Sequence, residues 1–537
     1  MPISRRSFLH RVGATGGYGA AYSTMVALGL MATPAVATAA PRLPSGFGRG
    51  KSVIILGGGI AGLVSAYELE RAGFTVTVLE ARDRLGGRNW TLRGGSKIEM
   101  VGEADQTVQF SDGIYMNAGP ARIPSHHEGL LGYCRKLGVA LEVEVNASRS
   151  AWLWDRDSNG GRPIQMRQGI HDARGHIAEL LAKAVNKGAL DQELTADDRA
   201  RLLPFLKLYG DLAPDMSFRG SERSGYTQLP GPAAQLAVAR EPLPFHELLT
   251  NAQIDRSWFD ESPYMQATMF QPVGGMDRIP AAFERAITSR IIRNAEVTQI
   301  HQDERGVKVT WRDRASGKTA LAEADFSIIT LPLVILAKID TNFPPEVSQA
   351  IAAVRYDLAN KIGFEAPRFW ERQQIYGGIS FVGGETNMVW YPSADLHTER
   401  GMLLASFPQA AAARAAAARP LSEQIEMARK AVETLHPGHG QDLQKPAVVN
   451  WSKIPFNLGA WPNYSGRGVI EEGHIDHPSH RLLNEPLSRV YFSGAHLSQL
   501  PGWQEGAIFA AHRSIGLLAD RIAQTTAVEP ARRAAAA

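Results

Sequence analysis

Two apolar runs flank a helical pattern in the first fifth of the chain. The first run, Ser52–Leu56, has no alternation of polar and apolar residues, which is typical of a parallel strand covered on both faces. Leu63, Ala66 and Leu69 then recur at helical spacing and can cover a sheet. A second run, Thr75–Leu79, follows this helix. The pattern therefore predicts a strand–helix–strand unit of a parallel sheet.

Later patterns predict a mixture of sheets and helices. Residues 123–265 carry apolar positions at helical spacing, among them Ile177, Leu181 and Val185, and predict a mainly helical insertion. Residues 331–465 predict a second sheet with helices, and residues 525–537 predict a disordered tail. The alternation of strands and helices favours the α/β class with two main domains.

Three glycines mark the passage from the first strand to the helix: Gly57, Gly59 and Gly62. In a dinucleotide-binding unit the first allows a tight turn, the second lets a pyrophosphate approach the backbone, and the third lets helix and strand pack closely. The helix N-terminus then faces the anion. Glu80 ends the second strand, where a carboxylate can bind ribose hydroxyls. The spacing favours a dinucleotide site over an ordinary glycine-rich turn, and it leaves NAD and FAD open.

Composition excludes several other kinds of site. The chain has 537 residues, of which 44% are hydrophobic, so it can bury a large core. A net charge of +3 without a concentrated basic stripe does not suggest nucleic-acid binding. Cys134 is the one cysteine, which excludes an intrachain disulfide and a multi-cysteine metal site. His171, His176 and His246 lack metal-ligand spacing, so no metal site is predicted.

Residues 1–40 have the pattern of an export signal. Ser4-Arg5-Arg6-Ser7-Phe8-Leu9 is a twin-arginine pattern, and a weakly apolar stretch rich in glycine and alanine follows it. The glycines make that stretch too weakly apolar for a stable membrane anchor. We therefore expect export in the folded state, to the periplasm or the extracellular space. This route suits a protein that loads a cofactor before it leaves the cytoplasm.

Two further segments are candidates for ligand contacts. Val490–Phe492 leads into Gly494, a loop and an apolar helix, an arrangement that can present N–H groups to a second part of the same cofactor. Trp503 on that loop fits either an aromatic wall or a packed core residue. Arg122 follows a Gly-Pro pair on an irregular segment, where functional residues concentrate, and fits either a ligand contact or a surface arginine.

Together these segments resemble the flavin-containing amine oxidase superfamily, and most closely bacterial L-amino acid oxidases. The resemblance is carried by 57–88, 118–122, 272–276, Lys361, Trp390-Tyr391-Pro392 and 502–507. It implies a two-domain FAD-dependent amine oxidase fold with a Rossmann-like FAD domain, a mixed-sheet substrate domain and an inserted helical subdomain. The FAD domain would comprise 48–122, 266–330 and 466–524, the insertion 123–265, and the substrate domain 331–465.

The resemblance also implies how the cofactor is held. FAD is expected to be non-covalent, because Cys134 lies far from the C-terminal loop that carries the attachment in covalent relatives. A homodimer is expected as well. The expected FAD contacts are Gly57, Gly59, Ile60, Ala61, Gly62, Glu80, Ala81, Arg82, Gly87, Arg88, Gly119, Pro120, Ala121, Arg122, Val297, Gly494, Ala495, Trp503, Gln504, Glu505, Gly506 and Ala507.

The substrate contacts implied by the resemblance are Arg122, Tyr391, Trp461, Gly502 and Trp503. The planar guanidinium of Arg122 matches a carboxylate through two parallel hydrogen bonds. Tyr391 would donate its hydroxyl to the same carboxylate, and Trp461 and Trp503 would form aromatic walls. Lys361 is the expected catalytic residue, because it matches the lysine that holds a water near flavin N5.

The implied reaction is oxidation of a small-molecule substrate, an L-amino acid, by oxygen to a 2-oxo acid, with release of ammonia and hydrogen peroxide. The hydride chemistry belongs to the cofactor, while the protein orients the substrate. An amine or polyamine oxidase and an amino-acid 2-monooxygenase are alternatives. A flavin-binding protein without turnover is a third, because Ala495 stands where relatives usually carry an acid that bonds the cofactor.

The preferred side chain of the substrate is open. Four acidic residues in the predicted insertion could favour basic substrates or be solvated surface acids. They are Glu247, Asp255, Asp260 and Glu261.

Overall fold

The computed structural model describes residues 41–464 and 477–536. The predicted export signal lies outside these residues. None of the helices in the described part of the chain is long and apolar enough to cross a membrane. The α-helices are Ile60–Arg71, Glu128–Lys136, Met166–Asn186, Ala196–Gly210, Phe245–Thr250, Pro263–Gln266, Arg278–Ala286, Leu333–Leu336, Pro345–Ala353, Ala410–Ala417, Leu421–Leu435, Pro478–Leu483 and Gln504–Ala536.

A five-stranded parallel sheet forms the centre of the fold, and Ser52–Leu56 is its middle strand. This strand pairs with Thr75–Leu79 on one side and with Phe326–Ile329 on the other, in register Val53 to Val76 and Val53 to Phe326. The strand order is Arg290–Ile292, Thr75–Leu79, Ser52–Leu56, Phe326–Ile329 and Val490–Phe492. The predicted strand–helix–strand unit and the α/β fold class are confirmed.

Helices cover this central sheet. Leu63, Ala66 and Leu69 of helix Ile60–Arg71 are fully buried in one hydrophobic cluster. The long last helix, Gln504–Ala536, packs against helix Ile60–Arg71 and contributes Ile508, Ala511 and Ile515 to the same cluster. The first and last helices of the described chain therefore share one core.

A second, seven-stranded sheet forms the other main layer. Its order is Ile164–Gln165, Trp152–Leu153, Ile379–Gly383, Asn387–Trp390, Arg400–Ser406, Asn360–Pro367 and Gln444–Asn450. The strands from residues 152–165 lie in the stretch predicted to be a mainly helical insertion. Each has only two residues, too few to produce a periodic pattern that the sequence would reveal.

Smaller sheets connect these layers. A three-stranded sheet places Met269–Pro272 between Ile123–Pro124 and Leu141–Glu144. A four-stranded sheet has the order Thr319–Ala324, Val307–Asp313, Ala295–Gln302 and Asp340–Thr341. The two-stranded pairs are Thr91–Leu92 with Met116–Asn117, Lys97–Ile98 with Gln106–Thr107, Tyr226–Gln228 with Val238–Ala239, and Arg355–Asp357 with Trp461–Asn463.

The disordered tail over residues 525–537 stays a prediction, and the structure gives residues 525–536 as helical. These residues continue helix Gln504–Ala536. The sequence after Arg533 is a run of alanines, and alanine has the highest helix propensity. Pro530 lies before this run, and it removes one backbone hydrogen bond from the helix.

Candidate active site

A cavity of about 710 Å³ lies at the carboxyl ends of the central strands. Gly57, Glu80, Thr330 and Gly494 line it, and each lies within two residues of the end of a different parallel strand. Ligands of open α/β sheets bind outside this edge of the sheet. The cavity extends from there toward the second sheet, where Lys361 lines it.

The glycine turn is built from three different backbone requirements. Gly57 has a φ of +103°, a conformation that glycine adopts without strain. A Cβ atom on Gly62 would lie 1.9 Å from the carbonyl oxygen of Gly57, so no larger residue fits between helix and strand. A Cβ atom on Gly59 would meet nothing within 4 Å, because this glycine borders the cavity. Gly59 thus leaves open space at the N-terminus of helix Ile60–Arg71.

Glu80 is fixed at the neighbouring strand end. Its side chain is buried, and its carboxylate accepts hydrogen bonds from the N–H of Gly58 at 2.7 Å and of Arg82 at 2.9 Å. Arg82 is held in turn by Asn457 Oδ1 at 2.6 Å and by the carbonyl of Pro455. Val297 and Ala81 line the same part of the cavity. This end presents a carboxylate and backbone groups to a ligand.

These features fit FAD. The open space beside Gly59 allows a pyrophosphate to approach helix N–H groups, and Glu80 stands where a ribose would bind. Cys134 is buried in the core and does not line the cavity. The predicted FAD residues that line the cavity are Gly57, Gly59, Ile60, Ala61, Glu80, Ala81, Arg82, Gly87, Arg88, Gly119, Pro120, Ala121, Arg122, Val297, Gly494, Ala495, Trp503, Gln504 and Ala507.

Three predicted FAD residues do not line the cavity: Gly62, Glu505 and Gly506. The Glu505 carboxylate instead accepts hydrogen bonds from the N–H groups of Gly129 and Leu130, both at 2.8 Å. A Cβ atom on Gly506 would lie 2.2 Å from the carbonyl oxygen of Leu500, so this glycine permits close packing.

The last helix begins at Gln504, and helix geometry explains this correction. Residues three positions apart share a helix face, so Gln504 and Ala507 face the cavity while the two residues between them face elsewhere.

Ala495 lies in the same loop, followed by a buried histidine. His496 lines the cavity, and its carbonyl accepts a hydrogen bond from the Tyr464 hydroxyl at 2.7 Å. Burial, with the nearby Arg88 charge, lowers the pKa of His496 from 6.5 to about 3. A neutral imidazole, with one donor and one acceptor, therefore lies next to Ala495.

Arg122 lies deep in the protein on the irregular segment that precedes strand Ile123–Pro124. Its guanidinium carbon stacks 4.6 Å from the ring centre of Trp390, and Nη1 donates to Asn146 Oδ1. Burial lowers the pKa of Arg122, and the charge of Glu144 opposes that effect. Among the described residues, no carboxylate lies within 4.0 Å of this guanidinium. A partly exposed guanidinium that lines a cavity and has no ion-pair partner among the described residues is a ready site for an anion.

Lys361 is buried where the cavity meets the second sheet. Its Nζ donates to the carbonyl oxygens of Asn117 at 2.9 Å and Gly119 at 2.6 Å. Burial, with the charge of Arg122, lowers the pKa of Lys361 from 10.5 to about 7. Its ammonium thus readily gives up a proton near neutral pH, and it is anchored to the segment that carries Arg122.

Aromatic residues close the same end. Trp461 lines the cavity, and its Nε1 donates to Asp357 Oδ2 at 3.2 Å. Trp503 and Gly502 line it as well, and Trp503 stacks on Tyr264 with ring centres 6.1 Å apart. The predicted aromatic walls therefore border the cavity.

The structure corrects the prediction for Tyr391, which does not line the cavity. Its side chain is fully buried behind the second sheet, where its hydroxyl lies 2.9 Å from Ser380 Oγ and 2.8 Å from His436 Nε2. His436 Nδ1 bonds to Gln373 Oε1 at 2.8 Å. Burial raises the pKa of Tyr391 and lowers that of His436 to about 3. The phenol is thus committed to a structural network.

Trp390 takes the place that was predicted for Tyr391. It ends strand Asn387–Trp390 and lines the cavity together with Phe407. Successive residues at a strand end point to opposite faces, so only one member of the Trp-Tyr pair can face the ligand. The Trp390-Tyr391-Pro392 motif indicated the right position in the chain. Which of its residues faces the cavity could not be predicted without the strand register.

The acidic residues of the insertion do not line this cavity. Asp260 lies 3.8 Å from Arg149, and Glu261 lies 3.7 Å from Arg174. Glu247 accepts a hydrogen bond from the N–H of Asn159, and Asp255 lies 3.8 Å from Arg256. For Glu247, Asp255 and Glu261 these contacts favour the interpretation as surface acids, whereas Asp260 is partly buried and its Oδ1 has no hydrogen-bond partner among the described residues.

Comparison with known proteins agrees with this geometry. The chain is 25% identical over 473 residues to the putative L-amino-acid oxidase YobN of Bacillus subtilis, covering 85% of this chain and 92% of that protein. It is 27% identical over 499 residues to the flavin-dependent L-tryptophan oxidase RebO of Lentzea aerocolonigenes, covering 86% and 96%. The solved structure of putrescine oxidase bound to putrescine shares the fold, with a TM-score of 0.55, 18% identity and coverage of 87% and 99%.

A family model described as flavin-containing amine oxidoreductase matches residues 60–514. This range takes in the helix after the glycine turn, Lys361 and the loop before the last helix. FAD is accordingly the cofactor of this fold and of the cavity. The chain belongs to the flavin-containing amine oxidoreductase family.

Proposed function

We propose that this protein oxidises L-amino acids to 2-oxo acids with oxygen as the acceptor, releasing ammonia and hydrogen peroxide. FAD is held without a covalent bond. The observation that carries the proposal is Arg122, a deeply placed guanidinium that lines the cavity and has no carboxylate within 4.0 Å in the described chain. The substrate carboxylate is the anion that this site lacks.

Each residue at this end has a role in the proposed reaction. Arg122 binds the carboxylate through two parallel hydrogen bonds, and the Trp390 ring beneath it keeps the guanidinium plane oriented. Trp461 and Trp503 exclude water from the reacting carbon. Lys361 has a pKa of about 7, so it can hold a water and exchange a proton with it near neutral pH. FAD supplies the two-electron chemistry.

The related proteins support the same proposal. YobN and RebO carry names that specify oxidation of L-amino acids, and this chain covers more than nine tenths of each. The likeness to putrescine oxidase is at 18% identity and supports the fold alone. An amine substrate would leave Arg122 without an anion, which is why we favour the amino acid.

Replacement of Arg122 tests the proposal. In Arg122→Ala, we expect kcat/KM for L-amino acids to fall about 1,000-fold, since a buried charge pair is lost. Arg122→Lys is the matched variant; it keeps the charge without the fork and should recover part of the loss. Peroxide release over a panel of L-amino acids, D-amino acids and simple amines is the measurement. The absorption spectrum of bound flavin shows whether each variant still loads its cofactor.

Other outcomes would replace the proposal. Turnover of amines that is insensitive to Arg122→Ala would identify an amine oxidase. An amide product formed with carbon dioxide would identify a monooxygenase. Failure of every L-amino acid to bleach the flavin band under anaerobic conditions would leave a flavin-binding protein without turnover.

A further inference from the structure

A second cavity of about 460 Å³ adjoins the FAD cavity. Ala121, Lys361 and Trp390 line both, so these three residues form the boundary between them. The outer rim of the second cavity is exposed and includes Asp395 and Glu399. The second cavity therefore lies between an exposed rim and the wall that borders the substrate end of the FAD site.

A buried carboxylate faces the inner part of this second cavity. Glu144 ends strand Leu141–Glu144 and is only 4% exposed, yet neither of its oxygens has a hydrogen-bond partner among the described residues. Burial raises its pKa to about 7, and the charge of Arg122 opposes that effect. A buried carboxylate without partners is costly, so this one is suited to a cationic ligand.

The cationic side chains that line the second cavity already have hydrogen-bond partners in the protein. Arg368 bonds to Glu371 at 2.8 Å and to the carbonyl of Ala394, and Arg400 bonds to Glu365 at 2.8 Å. Lys361 donates to two backbone carbonyls. None of these cations is paired with the carboxylate at the inner end.

The uncommitted polar groups of the second cavity are instead acceptors or acids. The buried hydroxyl of Tyr115 has no partner in the described chain, and burial raises its pKa, with smaller contributions from the charges of Glu142 and Asp395. Burial also raises the pKa of Glu142, and the charge of Asp395 adds to that effect. The electrostatic character of this cavity thus favours a positive charge.

We propose that the second cavity receives the cationic side chain of the substrate, so that the enzyme prefers L-amino acids with an ammonium or guanidinium at their far end. This inference rests on the proposed function. Arg122 binds the carboxylate on one side of Trp390, and Glu144 binds the side-chain cation on the other. The Trp390 ring gives the intervening methylene groups an aromatic surface.

Glu144→Gln tests this assignment in the FAD-loaded enzyme. At pH 8, the wild-type protein should use L-lysine, L-arginine and L-ornithine with kcat/KM at least roughly tenfold above L-leucine and L-methionine. The variant should lose about 100-fold on the basic substrates, mainly through KM, and stay within about twofold on the neutral ones. Glu144→Asp keeps the charge and should recover part of the loss.

Glu261→Gln is the matched control. It makes the same chemical change at an exposed acid that lines neither cavity. It should leave all substrates unchanged. The flavin spectrum and the melting temperature of each variant show whether the fold and cofactor are intact.

The possible outcomes separate the two proposals. Wild-type turnover of neutral but not basic L-amino acids overturns the role of the second cavity and leaves the proposed function standing. An equal loss of kcat on all substrates in Glu144→Gln would also overturn it, because it would identify a proton-transfer role. Turnover of amines alone would overturn the proposed function itself.

Discussion

The two ends of the FAD cavity are built in different ways. At the cofactor end, Gly57, Gly59 and Glu80 come from one continuous stretch, and backbone geometry determines most of the shape of the site. At the substrate end, Arg122 and Lys361 come from segments far apart in the chain, and their side chains meet through pairing of sheets and loops. Local sequence therefore specifies the first end, and tertiary structure specifies the second.

This difference predicts that substitutions at the two ends of the cavity will affect different measured quantities. At the cofactor end, a substitution whose new side chain clashes with the backbone should impair folding. A substitution whose new side chain projects into the cavity should impair flavin binding. A substitution at the substrate end should act on KM or kcat only when the side chain faces the cavity. The following predictions test this contrast.

The largest effect is expected at Gly62. Gly62→Ala places a methyl 1.9 Å from the Gly57 carbonyl, so the helix must shift away from the strand. We expect a loss of about 3 kcal/mol in unfolding free energy. Gly59→Ala is the matched variant, because its methyl meets nothing within 4 Å and enters the cavity instead. It should keep the stability of the apoprotein and weaken FAD binding.

Urea unfolding of the apoproteins and titration with FAD measure the two quantities. Equal stability of both variants would contradict the division of roles between these glycines.

Acid should destabilise the protein through its buried neutral histidines. His436 has a pKa of about 3 in the fold against 6.5 when exposed, so the unfolded chain binds the extra proton. Stability is therefore lost as pH falls below 6.5, by roughly 2 kcal/mol for this residue at pH 5. His496 has the same shift at the cofactor end. In His436→Gln, the loss between pH 7 and pH 5 should be smaller by that amount in urea unfolding.

One result of the His436→Gln unfolding experiment would contradict this prediction. An unchanged difference between pH 7 and pH 5 would show that His436 is already protonated in the fold.

The smallest effect is expected at Tyr391, and it distinguishes the predicted substrate contact from the observed hydrogen bonds in the core. Tyr391→Phe removes a hydroxyl that bonds to Ser380 and His436 in the core. We expect a loss of about 1 to 2 kcal/mol in stability, with KM and kcat unchanged. A substrate contact would instead raise KM for L-amino acids at unchanged stability. Peroxide kinetics alongside thermal unfolding distinguish the two.

Much of the fold and of the cofactor end could be predicted from the sequence. The glycine spacing and Glu80 define their own geometry over a short stretch, and most residues assigned to FAD near them line the cavity, while their contact with FAD stays a prediction. Glu505 was assigned to FAD by position in a motif, but the start of a helix turns successive residues to different faces. One-residue errors of this kind cannot be removed without the backbone.

The substrate end was less predictable for a physical reason. Tyr391 and Trp390 are adjacent, and the strand register decides which of them faces the cavity. Glu144 had no sequence signal, because its significance comes from a three-stranded sheet that brings Pro124, Met269 and Glu144 side by side. Such proximity follows from long-range pairing rather than from spacing along the chain.

The order of strands in the central sheet has a consequence for biosynthesis. The fifth strand, Val490–Phe492, and the helix that packs on Ile60–Arg71 are synthesised long after that helix. A nascent chain on the ribosome therefore exposes the apolar face of helix Ile60–Arg71 until these later segments have been made. Flavin capture must follow their synthesis, so polypeptides truncated before residue 490 should emerge colourless and depend on chaperones.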